Sequence, residues 1–200
     1  MGAPHPRSMI HAWHNAIRPE RAGADGPRSR TWVSKRREGP LSSPFILAPG
    51  EQHPGAPPQG PRSPFIRIAS RHTDGLMALG EVTLPPRTPG PHLHVHSGED
   101  EMFFVLDGVL TVQIGEELHD IAAGGLVWGA RGTPHAFANR SQEPARFVIM
   151  WIPGGAEGVF AEMEAYRQSA EGTPDAQALA AIMASYGATT VGPAIPIPEL

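Results

Sequence analysis

Apolar and polar residues alternate from Phe65 to Ile152, mostly in runs of four to eight bounded by Gly, Pro, Asn or Asp. Alternation with a period of two is the signature of a strand with one buried face. "FIRIAS" and "GLMALGEVTL" open the series. A rigid loop, "PPRTPGP", follows. It leads to the histidine strand, and beyond that come "EMFFVLDG", "VLTVQIG", "ELHDIAAG", "GLVWGA", "TPHAFANR" and "ARFVIMWI", with Gly108, Gly115 and Gly124 where turns are needed. Short strands at regular spacing predict an all-β sandwich or barrel. Upstream, "PFILAPG" reads as a short strand or a docking segment, and residues 51–64 as a loop.

After residue 153 the period lengthens. "AEGVFAEMEAYRQSA" places Phe160, Met163 and Tyr166 at helical spacing. "TPDAQALAAIMASYG" predicts a second helix capped by Thr173, with Pro174 in its first position and Gly187 as its stop. Leu179, Ile182, Met183 and Tyr186 form its apolar stripe, expected to pack on the strands or on a second subunit. "VGPAIPIPEL" reads as an extended tail.

Composition narrows the class. The chain has 200 residues, is 40% hydrophobic and contains no cysteine, which excludes disulfides, thiolate nucleophiles and Cys-ligated zinc. Glycine and proline number 23 each, which favours turns and short strands. No apolar run reaches the roughly 18 residues that would span a bilayer. The net charge of −4 is mild and argues against nucleic acid as the main partner. It is unevenly spread: residues 1–40 hold eight basic and three acidic residues, a net of +5, leaving −9 for the rest. Lys35 is the single lysine beside fifteen arginines, a bias of GC-rich bacterial genes. Residues 1–43 show no sustained apolar period and are expected to be a disordered or irregular basic extension. They lack the apolar stretch of a secretory signal, and no long apolar run follows the paired arginines of "SKRREG", so a cytoplasmic location is expected.

The chemistry concentrates in "GPHLHVHSGEDEMFF". His92, His94 and His96 share one strand face, and imidazoles two residues apart lie about 6.6 Å apart along the backbone, close enough to lean onto one ion. A carboxylate is the natural next ligand. Glu101 lies an odd number of residues past His96 and would face away on a straight strand, unless the Ser97–Gly98 step breaks the pleat. Spacing alone leaves Glu99, Asp100 and Glu101 all open. "GARGTPHAFAN" offers His135 as a further ligand.

The spacing of these residues resembles the two motifs of the cupin family. A His-x-His pair, four residues, Glu, six residues and Gly match His94, His96, Glu101 and Gly108. Gly, five residues, Pro, one, Gly, two, His, three and Asn match Gly124, Gly132, His135 and Asn139, with Ala130 where proline is usual. The tail is similar to that of small bacterial cupins related to quercetin dioxygenase. The resemblance implies a double-stranded β-helix, the jelly-roll barrel, over residues 44–153, with two C-terminal helices and a tail over 154–200. It implies one divalent transition-metal ion on His94, His96, Glu101 and His135, with iron or manganese ahead of nickel, copper and zinc. Glu101 is then the candidate catalytic base. His92, Phe103, Val105, Trp128, Phe137 and Met150, and beyond them Ile152, are the candidate substrate-pocket residues, in a cavity suited to an aromatic or enol-type small molecule. The expected activity is a dioxygenase. A Lewis-acid isomerase, decarboxylase or hydrolase and a non-catalytic ligand binder are the alternatives, since cupins serve all three roles. An exposed barrel edge and apolar helices lead to the expectation of a homodimer.

Overall fold

The computed structural model describes residues 44–53, 63–170 and 172–199. The expectation for residues 1–43 lies outside these, as does most of the loop expected before Phe65. Eleven strands are present among the described residues: β1 (Phe65–Ile68), β2 (Ala78–Leu84), β3 (Thr88–Pro89), β4 (His92–His96), β5 (Asp100–Asp107), β6 (Val109–Ile114), β7 (Glu117–Ala122), β8 (Leu126–Gly129), β9 (His135–Asn139), β10 (Ala145–Ile152) and β11 (Ala188–Ala194). Helices α1 (Gly158–Ser169) and α2 (Ala176–Ser185) lie between β10 and β11.

The strands form two antiparallel sheets, consistent with a double-stranded β-helix. The first has the order β1-β2-β10-β5-β8, the second β11-β4-β9-β6-β7, with β3 paired to β9. The chain passes repeatedly from one sheet to the other, so consecutive strands such as β4 and β5 lie in different sheets. Alternation does its expected work. In β5, Glu101, Phe103 and Val105 are buried, and in β10 so are Ala145, Phe147, Ile149 and Trp151. These meet Leu110 and Val112 of β6 in one core, with Phe137 of β9 packed against it. Phe103, Phe137 and Phe147 pack edge to face, with centroids 5.2–5.9 Å apart.

Two boundary residues show why the motif positions are what they are. Gly108 turns β5 into β6 at φ +72°, and a Cβ there would stand 2.2 Å from the Pro144 carbonyl oxygen. Asn139 is fully buried at the end of β9. Its amide donates to the carbonyls of Leu84, Pro85 and Glu143 at 2.8–3.1 Å, while its side-chain oxygen accepts from Ser141. It holds three chain segments together at the end of β9 remote from His135.

Two local expectations change, and one left open is decided. Residues 44–48 form no strand. They dock through Phe45, whose ring packs 4.3 Å from that of His53, and through Arg67, which donates to the carbonyls of Ala48 and Glu51. Helix α2 is capped by Asp175, whose carboxylate accepts from the Gln177 amide at 2.9 Å, rather than by Thr173, so Pro174 lies before the helix. Gly187 does end it, at φ +78°. The expected tail begins as a strand: β11 pairs with β4 at Ala188↔His96, Thr189↔Val95 and Thr190↔His94. Ile195 and Ile197 then cover the outer face of β9 over Ala136 and Ala138.

Replacing Asn139 with Ala leaves several buried carbonyls without a donor and should lower unfolding stability by about 2–3 kcal/mol, read from urea denaturation.

Candidate metal centre

His94, His96, Glu101 and His135 each place one ligand atom within 4.8 Å of the others, and all four side chains are 1–7% exposed. Strand β4 brings His94 and His96 onto one face, and the pairing of His94 with His135 sets the third imidazole beside them. Glu101 arrives from the other sheet. The Ser97–Gly98 step does more than break a pleat: it ends one strand of the second sheet and starts one in the first, so face parity along a single strand does not apply to Glu101.

Each imidazole turns Nδ1 outward to an acceptor. His94 Nδ1 lies 2.8 Å from the His92 carbonyl oxygen, and His135 Nδ1 lies 2.9 Å from that of Thr133. His96 Nδ1 has the Glu99 carboxylate at 2.6 Å, an ionic contact rather than a well-aligned hydrogen bond. An acceptor at Nδ1 places the N–H there and leaves the lone pair on Nε2. The Nε2 atoms nonetheless face one another and Glu101. His94 Nε2 is 3.1 Å from His96 Nε2, His135 Nε2 is 2.8 Å from Glu101 Oε2, and His96 Nε2 is 3.7 Å from the same oxygen. A neutral His135 cannot donate to Thr133 and Glu101 at once. The centre therefore holds four electron-pair donors and too few N–H groups, a deficit of positive charge that protons or a cation must fill. Three nitrogens and one carboxylate suit a first-row divalent ion, so the residues fit the metal the sequence pattern implies.

The electrostatics agree. Burial pushes the His94 imidazole down to about 4. Burial acts downward on His96 as well, but the carboxylates of Glu101 and Glu99 outweigh it and raise this imidazole to about 9. Burial alone would lift the Glu101 carboxyl, yet His135 and His96 hold it down to about 2.

Residues 80–153 match the family model of the cupin domain. This stretch is similar to a cupin domain. It contains all four converging residues. Among solved structures, a Silicibacter pomeroyi protein described as a sugar phosphate isomerase from a cupin superfamily is 25% identical, over 38% of this chain and 50% of that one, with a TM-score of 0.37. The match thus spans half the length of that protein. A Thermus thermophilus protein is 26% identical over 49% of this chain and 90% of its own, with a TM-score of 0.40. A Klebsiella pneumoniae protein with a double-stranded β-helix domain is 19% identical over 57% and 93%, with a TM-score of 0.44. No curated protein matches the sequence.

Within the matched stretch, the remaining candidate residues separate. Phe103, Val105 and Phe137 lie on the face of the cluster, with the Phe103 ring 6.2 Å from that of His135, but Phe103 and Val105 are fully buried in the core. They form an apolar floor. His92 is exposed at the start of β4 and takes part through its carbonyl. Trp128 and Met150 do not face the cluster. Glu101 is opposite Gly129 and Trp151, whereas Met102, one residue on, is opposite Trp128 and Met150. Both therefore stand on the outer face of the first sheet, where Trp128 is 50% exposed. Ile152, opposite Asp100, shares that parity. Gly129 lies close to the cluster: a Cβ there would stand 3.3 Å from the Glu101 carbonyl oxygen and 3.5 Å from His135 Nδ1.

Reading by residue type alone missed the restraint on the loop before His135. Asp100 accepts the Arg131 amide and guanidinium at 2.9–3.1 Å, and the Gly132 amide donates to the His96 carbonyl at 2.8 Å. The consecutive acids hinted at it, but pairing Asp100 with a residue 31 positions away needed the fold.

Because His96 is raised to about 9, the metal-free cluster carries a proton at pH 7 that a binding ion must displace. Titration with zinc in buffers of different ionisation enthalpy should show one proton released per ion at pH 7, falling toward none as the pH rises through 9. Release of no proton at pH 7 contradicts this.

Proposed function

We propose that the chain is a metal-dependent dioxygenase acting on a small aromatic or enol-type substrate, with one divalent transition-metal ion held by His94, His96, Glu101 and His135. The observation that carries this reading is the cluster of four buried donors, each imidazole already anchored at Nδ1. Such an ion, when bound, supplies Lewis acidity toward a substrate oxygen and, as iron or manganese, one-electron chemistry with dioxygen. The protein's own part is to orient and to handle protons. The Glu101 carboxylate takes the proton of a substrate hydroxyl, whose O–H electron pair stays on the oxygen. The floor of Phe103 and Phe137 excludes water and favours a flat apolar ring. Charge supports the substrate class. Arg131 is engaged by Asp100, and Arg67 and Arg146 share Glu81, so these cations are already paired rather than aimed at a phosphate.

We further propose that a second copy of the chain covers the outer face of β5, β8 and β10. Two cross-strand rows, Trp128–Met102–Met150 and Leu126–Phe104–Val148, make this face apolar, and Glu81, Arg67 and Arg146 border it with charge. An apolar centre with a charged rim on a sheet that ends in β8 is self-complementary across a two-fold axis.

Elemental analysis of untagged protein, with oxygen uptake measured on a panel of enols and catechol-like aromatics, tests the activity. A redox-active metal with substrate-dependent oxygen consumption is expected. Turnover without oxygen uptake assigns a Lewis-acid isomerase, decarboxylase or hydrolase instead, and a metal-loaded protein without turnover a ligand binder. His94→Ala should lower metal affinity by more than the ~10–100-fold typical of losing an outer-shell partner, and unchanged stoichiometry overturns the ligand assignment. For the second copy, light scattering should give a dimer for the wild type and a monomer for Trp128→Glu. A monomeric wild type removes that part of the proposal.

A further inference from the structure

The three imidazoles of the cluster are not anchored alike. His94 and His135 each direct Nδ1 at the backbone carbonyl two residues earlier, a restraint that no substitution removes. His96 does not repeat this pattern. Its Nδ1 lies 2.6 Å from the side chain of Glu99, which reaches back from the crossover between the sheets. Glu99 is itself 7% exposed, and a carboxylate is costly to bury unless a positive or polarised partner meets it. The side chain in ion-pair contact with this carboxylate is His96, and the Arg131 guanidinium interacts with it electrostatically. The Glu99 side chain thus closes a carboxylate–histidine pair whose other end, Nε2, enters the cluster 3.1 Å from His94 and 3.7 Å from Glu101.

We propose that Glu99 is a positioning residue for the metal centre: its carboxylate fixes the ring orientation of His96 and makes Nε2 a stronger donor to the ion. The proposal rests on the metal-binding reading above. A carboxylate behind a histidine ligand orients the ring, holds the tautomer and increases ligand basicity. Here that control falls on one of the three imidazoles, and on a residue that sequence spacing could take only as a competing ligand. Glu99 does not enter the four-residue cluster.

The test is zinc titration of the metal-free, untagged full-length protein and of Glu99→Gln. The variant is expected to bind one zinc with affinity reduced about 10–100-fold. In the zinc-loaded wild type, the Nδ1–H proton resonance of His96 should be displaced from those of His94 and His135, and in Glu99→Gln it should move toward them while theirs stay in place. A general packing role would not produce that selective shift. Unchanged affinity together with an unmoved His96 resonance overturns the role of Glu99 while leaving the metal reading intact. Failure of the wild type itself to bind zinc, manganese or iron overturns the reading on which it rests. Glu99→Met, uncharged and of similar length, carries the same expectations should Glu99→Gln not fold.

Discussion

Three imidazole nitrogens and a carboxylate oxygen face one another in a buried space, with too few N–H groups to satisfy them. That surplus of lone pairs is costly, and the fold is organised so that it cannot relax away. Outward rotation of His94 or His135 would break an Nδ1 contact to a backbone carbonyl. Separation of the sheets would undo the aromatic packing of Phe103, Phe137 and Phe147 directly beneath the cluster. The histidines belong to the second sheet and Glu101 to the first, so neither sheet alone builds the centre. The hydrophobic core thereby sets the spacing of the donors, and burial strengthens their interactions with any positive charge that enters.

The strands themselves were legible from alternation, because each buries one face and their turns fall at glycines. "ARFVIMWI" corresponds residue for residue to β10, and the expected histidine strand forms as β4. The four donors were legible from motif spacing. Face assignment beyond a single strand was not. Trp128 and Met150 are apolar residues in inward-looking runs, yet their parity depends on their pairing with Met102, and that register is a property of the assembled sheet. The C-terminal strand was hidden by its proline and by those that follow it. Pro193 is tolerated because β11 lies at the sheet edge, where a missing N–H need not break the ladder. The expected cap of α2, Thr173, lost to Asp175 because the helix begins two residues later than the Thr-Pro pair suggests, and Asp is as good a capping type as Thr.

The consecutive acids show how much a fold can extract from one short stretch. Glu101 enters the donor cluster, Glu99 meets the back of His96, and Asp100 clamps Arg131 in the loop that leads to His135. Adjacent side chains at the start of β5 diverge, and the crossover from β4 lies beside the loop that carries the last ligand. Carboxylates that look interchangeable in the sequence therefore have three different neighbours. The Gly132 amide, bonded to the His96 carbonyl, closes the circuit between the two motifs through the backbone.

The place of β11 bears on how the protein is made. Ala188 and Thr190 lie opposite His96 and His94, and the Ser97 amide donates to the Gly187 carbonyl at 2.9 Å. Strand β4 meets β9 at one register position only, so its other flank depends on a segment translated about ninety residues later. During synthesis the histidine strand emerges early and waits with an open side until residues 188–194 clear the ribosome. Completion of the donor cluster is in this way tied to a late step of biogenesis, and a ribosome that stalls before that point leaves a chain with all four donors but without the strand that flanks two of them.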